Sequence, residues 1–170
     1  MPPIVLFGAQ FTLSLLAYLL LGSWYVRPRL ARMPLPDALS ALVWVHVFRV
    51  VGGSILAPGS VDPGVPSEFR TMVGLGDMAT SALALVAVVA LRLRLRAAVG
   101  LVVVCIGFGL IDTVNAVIQS IRFDVFTLPL GLNWVIVTAY VPALLVSSLL
   151  VVLELRSRSR WDAVSAGSPS

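Results

Sequence analysis

The sequence predicts an all-α fold: a polytopic membrane bundle of five transmembrane helices, with the N-terminus outside and the C-terminus in the cytoplasm. Three observations carry this expectation. The 170 residues are 59% hydrophobic and 12% charged, with a mean hydropathy of +1.01. Soluble domains are about 45–50% apolar and about 25% charged, so lipid is the expected solvent for much of this chain. The apolar residues also fall into five long runs, near 4–26, 38–57, 71–91, 97–120 and 134–155. Each is close to the roughly 20 residues that cross the hydrocarbon of a bilayer. Finally, most of the arginines cluster at 27–32, 92–96 and 156–160, after the first, third and fifth runs. All three clusters then share one side, which the positive-inside rule makes the cytoplasm.

The first run, Ile4 to Val26, carries no charge and ends in Trp24 and Tyr25, which suit an interfacial position. Met1-Pro2-Pro3 lacks the basic start of a signal peptide, so this span is expected to be retained. Arg27-Pro28-Arg29-Leu30-Ala31-Arg32 reads as a basic turn broken by proline, and Asp37 as the N-cap of the second helix. The second run, Ala38 to Ala57, contains the only histidine, His46, and Arg49. The Pro- and Gly-rich stretch from Ala57 to Arg70 reads as a loop. The third run, Thr71 to Leu91, contains Asp77, and its arginine-rich end suits side chains snorkelling to the interface. Asp112, Asn115 and Gln119 lie in the fourth run, Ala97 to Ser120. Ile121 to Asn133 reads as a loop lying partly in the interface, and Trp134 to Leu155 as the last span, with Tyr140 and Pro142. Residues 1–155 thus form one membrane domain, and 156–170 a disordered cytoplasmic tail.

A pI near 10.2 would suggest nucleic acid for a soluble protein. Arginines at span ends are explained by topology, so the expected partner is the lipid bilayer and no nucleic acid. Cys105 is the single cysteine and can form no disulfide within the chain. With one histidine and one distant cysteine, no metal is expected. Nothing in the sequence points to another cofactor, and no nucleophile stands at helical spacing from His46, so no catalytic residue is assigned.

The expected topology lets depth be counted at about 1.5 Å per residue. Arg49, Asp77, Asp112 and Tyr140 each fall roughly 10–12 Å below the outer membrane surface, and His46 one turn deeper. Helical spacing puts each on a stripe with small or partner residues: Leu42, His46, Arg49 and Gly53; Gly74, Asp77, Ser81 and Ala84; Gly109, Asp112 and Asn115; Val137, Tyr140 and Ser147. His46, Arg49, Asp77, Asp112, Asn115 and Tyr140 are therefore the candidate intramembrane polar site. The first span is left as a lipid-facing helix. Arg49 stays cationic, so two aspartates leave the layer one charge negative unless it holds a further proton. That proton would be shared among His46, Asp77 and Asp112.

Gly74-Leu75-Gly76-Asp77 and Pro142-Ala143-Leu144 resemble motifs of the intramembrane aspartyl proteases. The order of the two aspartates is reversed from that family's and the spans are fewer, so no protease site follows. A longer resemblance runs through Phe48-Arg49-Val50-Val51-Gly52-Gly53, Val65-Pro66, Gly74-Leu75-Gly76-Asp77, Gly109-Leu110-Ile111-Asp112 and Tyr140-Val141-Pro142. This pattern is similar to that of a group of small bacterial multispan membrane proteins, and implies the same span plan and polar layer in a bacterial plasma membrane. Ser147-Ser148 stands where that pattern has a histidine. Two roles are compatible with the layer: a proton- or small-solute-linked membrane module, or a structural or accessory protein whose polar layer holds the bundle together. A transporter of this length would need a homo-oligomer or a partner membrane subunit.

Overall fold

In the computed structural model, which describes residues 2–166 and side chains as far as Ser157, the secondary structure is entirely helical. Five helices are long and apolar enough to cross a membrane: α1 (Pro3–Leu30), α2 (Leu35–Leu56), α3 (Ser67–Arg92), α4 (Ala98–Arg122) and α5 (Leu132–Ser157). The α5 backbone continues as helix to Ala166, so the expected tail begins as an extension of α5. Residues 167–170 lie outside the described residues.

Pro28 does not break α1. A proline removes one N–H and its ring collides with the carbonyl four residues back. Here the preceding turn, Gly22–Val26, widens to a π-helix in which Arg27 N–H bonds Gly22 O, and the chain passes the proline still helical. The same device precedes Pro142, where Ile136–Tyr140 is a π-helix and Val141 N–H bonds Ile136 O. Asp37 is not an N-cap. Pro34 holds that position, and Asp37 in the first turn of α2 pairs with Arg94 at 3.0 Å.

The helices pack in the spatial order α4, α3, α2, α5, α1, with α1 lying chiefly along α5. Pro3–Leu21 buries no residue, in keeping with its expected outer position. Gly22, the first buried residue of α1, admits Val146 and Leu150 of α5. Two apolar cores result. One, around Leu39, Val43, Ala87, Leu91, Val102 and Leu150, fills the half of the bundle nearer the three arginine clusters. The other, Ile55, Val61, Val65, Phe69, Val125 and Leu130, joins the two long connections at the opposite end. There Asp62 N–H donates to Pro129 O at 3.0 Å. Gly131, at a φ of +54°, turns the second connection into α5. The stretch from Ile121 to Asn133 folds over the end of the bundle, because Val125 and Leu130 bury themselves against Phe69 and Val65.

Candidate functional site

Between the two cores, α2 changes from α-helix to a 3-10 helix at Phe48–Leu56. Three residues per turn align Arg49, Gly52 and Ile55 on one buried face. The stripe counted at 3.6 residues per turn had chosen Gly53, which instead packs on the Met78 side chain. Where the ladder tightens, carbonyls lose their regular N–H donors. Hydroxyls take their place: Tyr140 donates to Val45 O and Ser81 to Val47 O. One turn earlier, Ser147 donates to Leu42 O at 2.8 Å, tying α5 to α2.

The Arg49 guanidinium is spread over three partners. Nε donates to Asp77 Oδ1, Nη2 to Asp112 Oδ2 at 2.6 Å, and Nη1 to the Gly109 carbonyl at 2.9 Å. Arg49 is 5% exposed and so almost wholly shielded by these contacts. Each charged side chain is seated on a glycine of the neighbouring helix. A Cβ on Gly52 would fall inside the Asp77 carboxylate, and one on Gly76 inside that of Asp112. A Cβ on Gly109 would stand 3.2 Å from Arg49 Nη1. The glycines of the Gly74-Leu75-Gly76-Asp77 stretch read in the sequence as helix-packing residues; Gly76 is a seat for a carboxylate. Glycine one or three residues from a buried charge, as Gly76, Gly52 and Gly109 are, is the signal that could have shown this.

Of the expected site residues, Arg49, Asp77 and Asp112 meet directly, and Tyr140 lies in the same cavity wall as Arg49 and Asp77. Asn115 does not join them. It stands one turn further along α4 on the same face as Asp112, and its amide points to Met72 Sδ at 3.2 Å. His46 is 2% exposed, and neither ring nitrogen has a hydrogen-bond partner among the described residues. It is a buried residue of the α2 wall with no bond to the layer. No group of three His, Cys, Asp or Glu side chains able to hold a metal occurs among the described residues.

The layer forms the floor of a cavity of about 420 Å3. This lies within the roughly 300–1,000 Å3 of small-molecule sites. Phe7 and Phe11 of α1, Phe69 of α3, Val117 of α4 and Leu144 of α5 wall it, and Phe126 and Leu130 of the folded-over connection cover it. Phe7 packs on Phe126 with ring centroids 4.4 Å apart, and Gln10 Oε1 accepts from Trp134 Nε1 at 2.6 Å, holding α1 to this end of α5. Chemically, the arrangement offers an apolar chamber with a single charged pair at its base.

Fold and site define a five-helix chain, apolar enough to cross a membrane, built around one arginine shared by two aspartates. It belongs to a family described as a domain of unknown function, DUF8737, whose model matches residues 6–156. No curated protein and no solved structure matches the chain.

Proposed function

We propose that this is an integral protein of a bacterial plasma membrane, N-terminus outside and C-terminus cytoplasmic, acting as a proton- or small-solute-linked membrane module. The observation that carries the reading is one guanidinium shared by two carboxylates, one of which, Asp77, faces a cavity. Intramembrane ionisable groups mark functional sites by default. Exposed apolar side chains, such as Leu13, Ile111 and Ile121, cover more of the surface than water would tolerate. The resemblance to small bacterial multispan proteins supports the choice of membrane.

With Arg49 cationic and both aspartates ionised, the layer is short of one positive charge, and an exchangeable proton supplies it. Titration of the purified protein between about pH 5 and 8 is expected to show proton uptake that disappears in Asp77→Asn. Uptake unchanged in that variant, or none in the wild type, would refute the proton linkage. For the topology, single cysteines are placed in a Cys105→Ser background. Ser67→Cys is expected to react with an impermeant thiol reagent added outside intact cells, and Arg96→Cys only after lysis; the reverse pattern inverts the assignment.

A structural role for the same layer is favoured by the three-way bonding and burial of Arg49. Combined substitution of Arg49, Asp77 and Asp112 separates the two readings.

A further inference from the structure

The charged residues lining the cavity are Arg49 and Asp77, and they are not equivalent. Arg49 is turned into the protein, with Nε, Nη1 and Nη2 each donating to it. Asp77 uses Oδ1 for Arg49, while its Oδ2 has no hydrogen-bond partner among the described residues. Asp112 adds a second negative charge behind Arg49. No charge faces the cavity from α1, which contributes Ile4, Phe7 and Phe11; α4 adds only the hydroxyls of Thr113 and Ser120, and α5 the uncharged Asn133 and Tyr140, whose proton is given to Val45 O. The layer beneath the cavity, one arginine with two aspartates, therefore carries net negative charge. Above it stand four phenylalanines, Phe7, Phe11, Phe69 and Phe126. Aromatic faces attract cations, most strongly when water is excluded, and aromatic cages are a recurrent means of binding quaternary ammonium groups.

We infer that the cavity is a binding site for lipophilic cations, molecules with an apolar body around a quaternary or similarly delocalised positive charge. The aromatic and aliphatic walls take the body, and the Asp77 carboxylate, which lines the cavity at its seat on Gly52, meets the charge. Such a cation supplies the positive charge that the layer lacks, so it and the exchangeable proton replace one another: one cation in, one proton out. Anionic amphiphiles would add a second uncompensated charge and are rejected. Entry is from the side. α1 packs along α5 rather than α4, and Val117 and Ile121 on the facing edge of α4 are exposed. An amphiphile dissolved in the surrounding lipid can then reach the chamber between α1 and α4. The inference rests on the membrane reading and on the negative layer, and does not require transport.

Tetraphenylphosphonium and tetraphenylborate, nearly equal in shape and opposite in charge, test it on the full chain in lipid nanodiscs. The phosphonium is expected to bind about tenfold or more tighter than the borate. Its binding in weak buffer is expected to release a proton. Asp77→Asn should remove the preference between the two ions. Ala116→Phe leaves every charge in place but fills the cavity, and should abolish phosphonium binding; it also serves should Asp77→Asn fail to fold. Equal binding of both ions by the wild type, or phosphonium binding that survives Ala116→Phe, would overturn the site. Preferential phosphonium binding without proton release would keep the cation site and reject the proton exchange of the proposed function, so the two readings fail separately.

Discussion

Replacing Arg49 by leucine is expected to be the most damaging single change in the chain. It leaves two buried carboxylates, Asp77 and Asp112, without their common partner. Breaking a buried ion pair by removing one member costs about 3–5 kcal/mol, because the surviving charge stays buried unpaired. The double change Arg49→Leu with Asp77→Leu is not enough, because Asp112 would still be stranded. Only the triple change Arg49→Leu, Asp77→Leu and Asp112→Leu removes every charge, and leucine has nearly the branched shape of the aspartates it replaces. The measurement is the midpoint of thermal unfolding in detergent. The single and double variants should fall well below wild type, and the triple should recover most of the loss. A triple variant that folds and also keeps proton uptake and ligand binding would make the layer structural only; failure of the triple to recover would refute the charge argument itself.

Gly52→Ala and Gly76→Ala are expected to come next in severity. Each new methyl occupies the place of a carboxylate, so Asp77 or Asp112 must withdraw from Arg49. The neighbouring Gly74→Ala is the internal control. The atoms nearest its methyl all belong to the side chain of Leu56, which is 39% exposed and can move aside. The two seat variants should lose on the order of 2–4 kcal/mol, part of the cost of a broken buried pair, and Gly74→Ala about 1 kcal/mol or less. Equal losses at all three positions would mean that the glycines serve general helix contact and not the carboxylates.

Much of this centre was legible in the sequence because it depends on depth, and depth follows from helix rise. Counting from the ends of the apolar runs brought Arg49, Asp77 and Asp112 to one level, where they meet. Counting could not foresee a change of helix type. The 3-10 turn at Phe48–Leu56 alters the period from 3.6 to 3 and so exchanges Gly53 for Gly52 on the buried face. Asn115 shares the face of Asp112 but stands three residues, about 4.5 Å, further along α4, which carries it past the layer to Met72. Pro28 looked like a break because local rules penalise proline in a helix, whereas a π turn relieves the collision. The cavity was least legible of all. Its cover depends on Val125 and Leu130 meeting Val65 and Phe69, contacts between distant segments that no local pattern encodes.

The seats of the three charges have a consequence for biogenesis. Gly52 faces Asp77, Gly76 faces Asp112, and Gly109 faces Arg49, so the whole centre is closed by residues 49–112. In the proposed membrane setting, α2 is a poor solitary segment, since an arginine at the middle of a span opposes insertion by about 2.5–3.5 kcal/mol. α3 carries the first carboxylate that can offset this, and it follows after a connection of only ten residues, 57–66. The two would therefore leave the ribosome close enough to enter the bilayer as a hairpin, with α4 completing the pairing. α1 and α5 would then close around a core already neutralised as far as its own side chains allow.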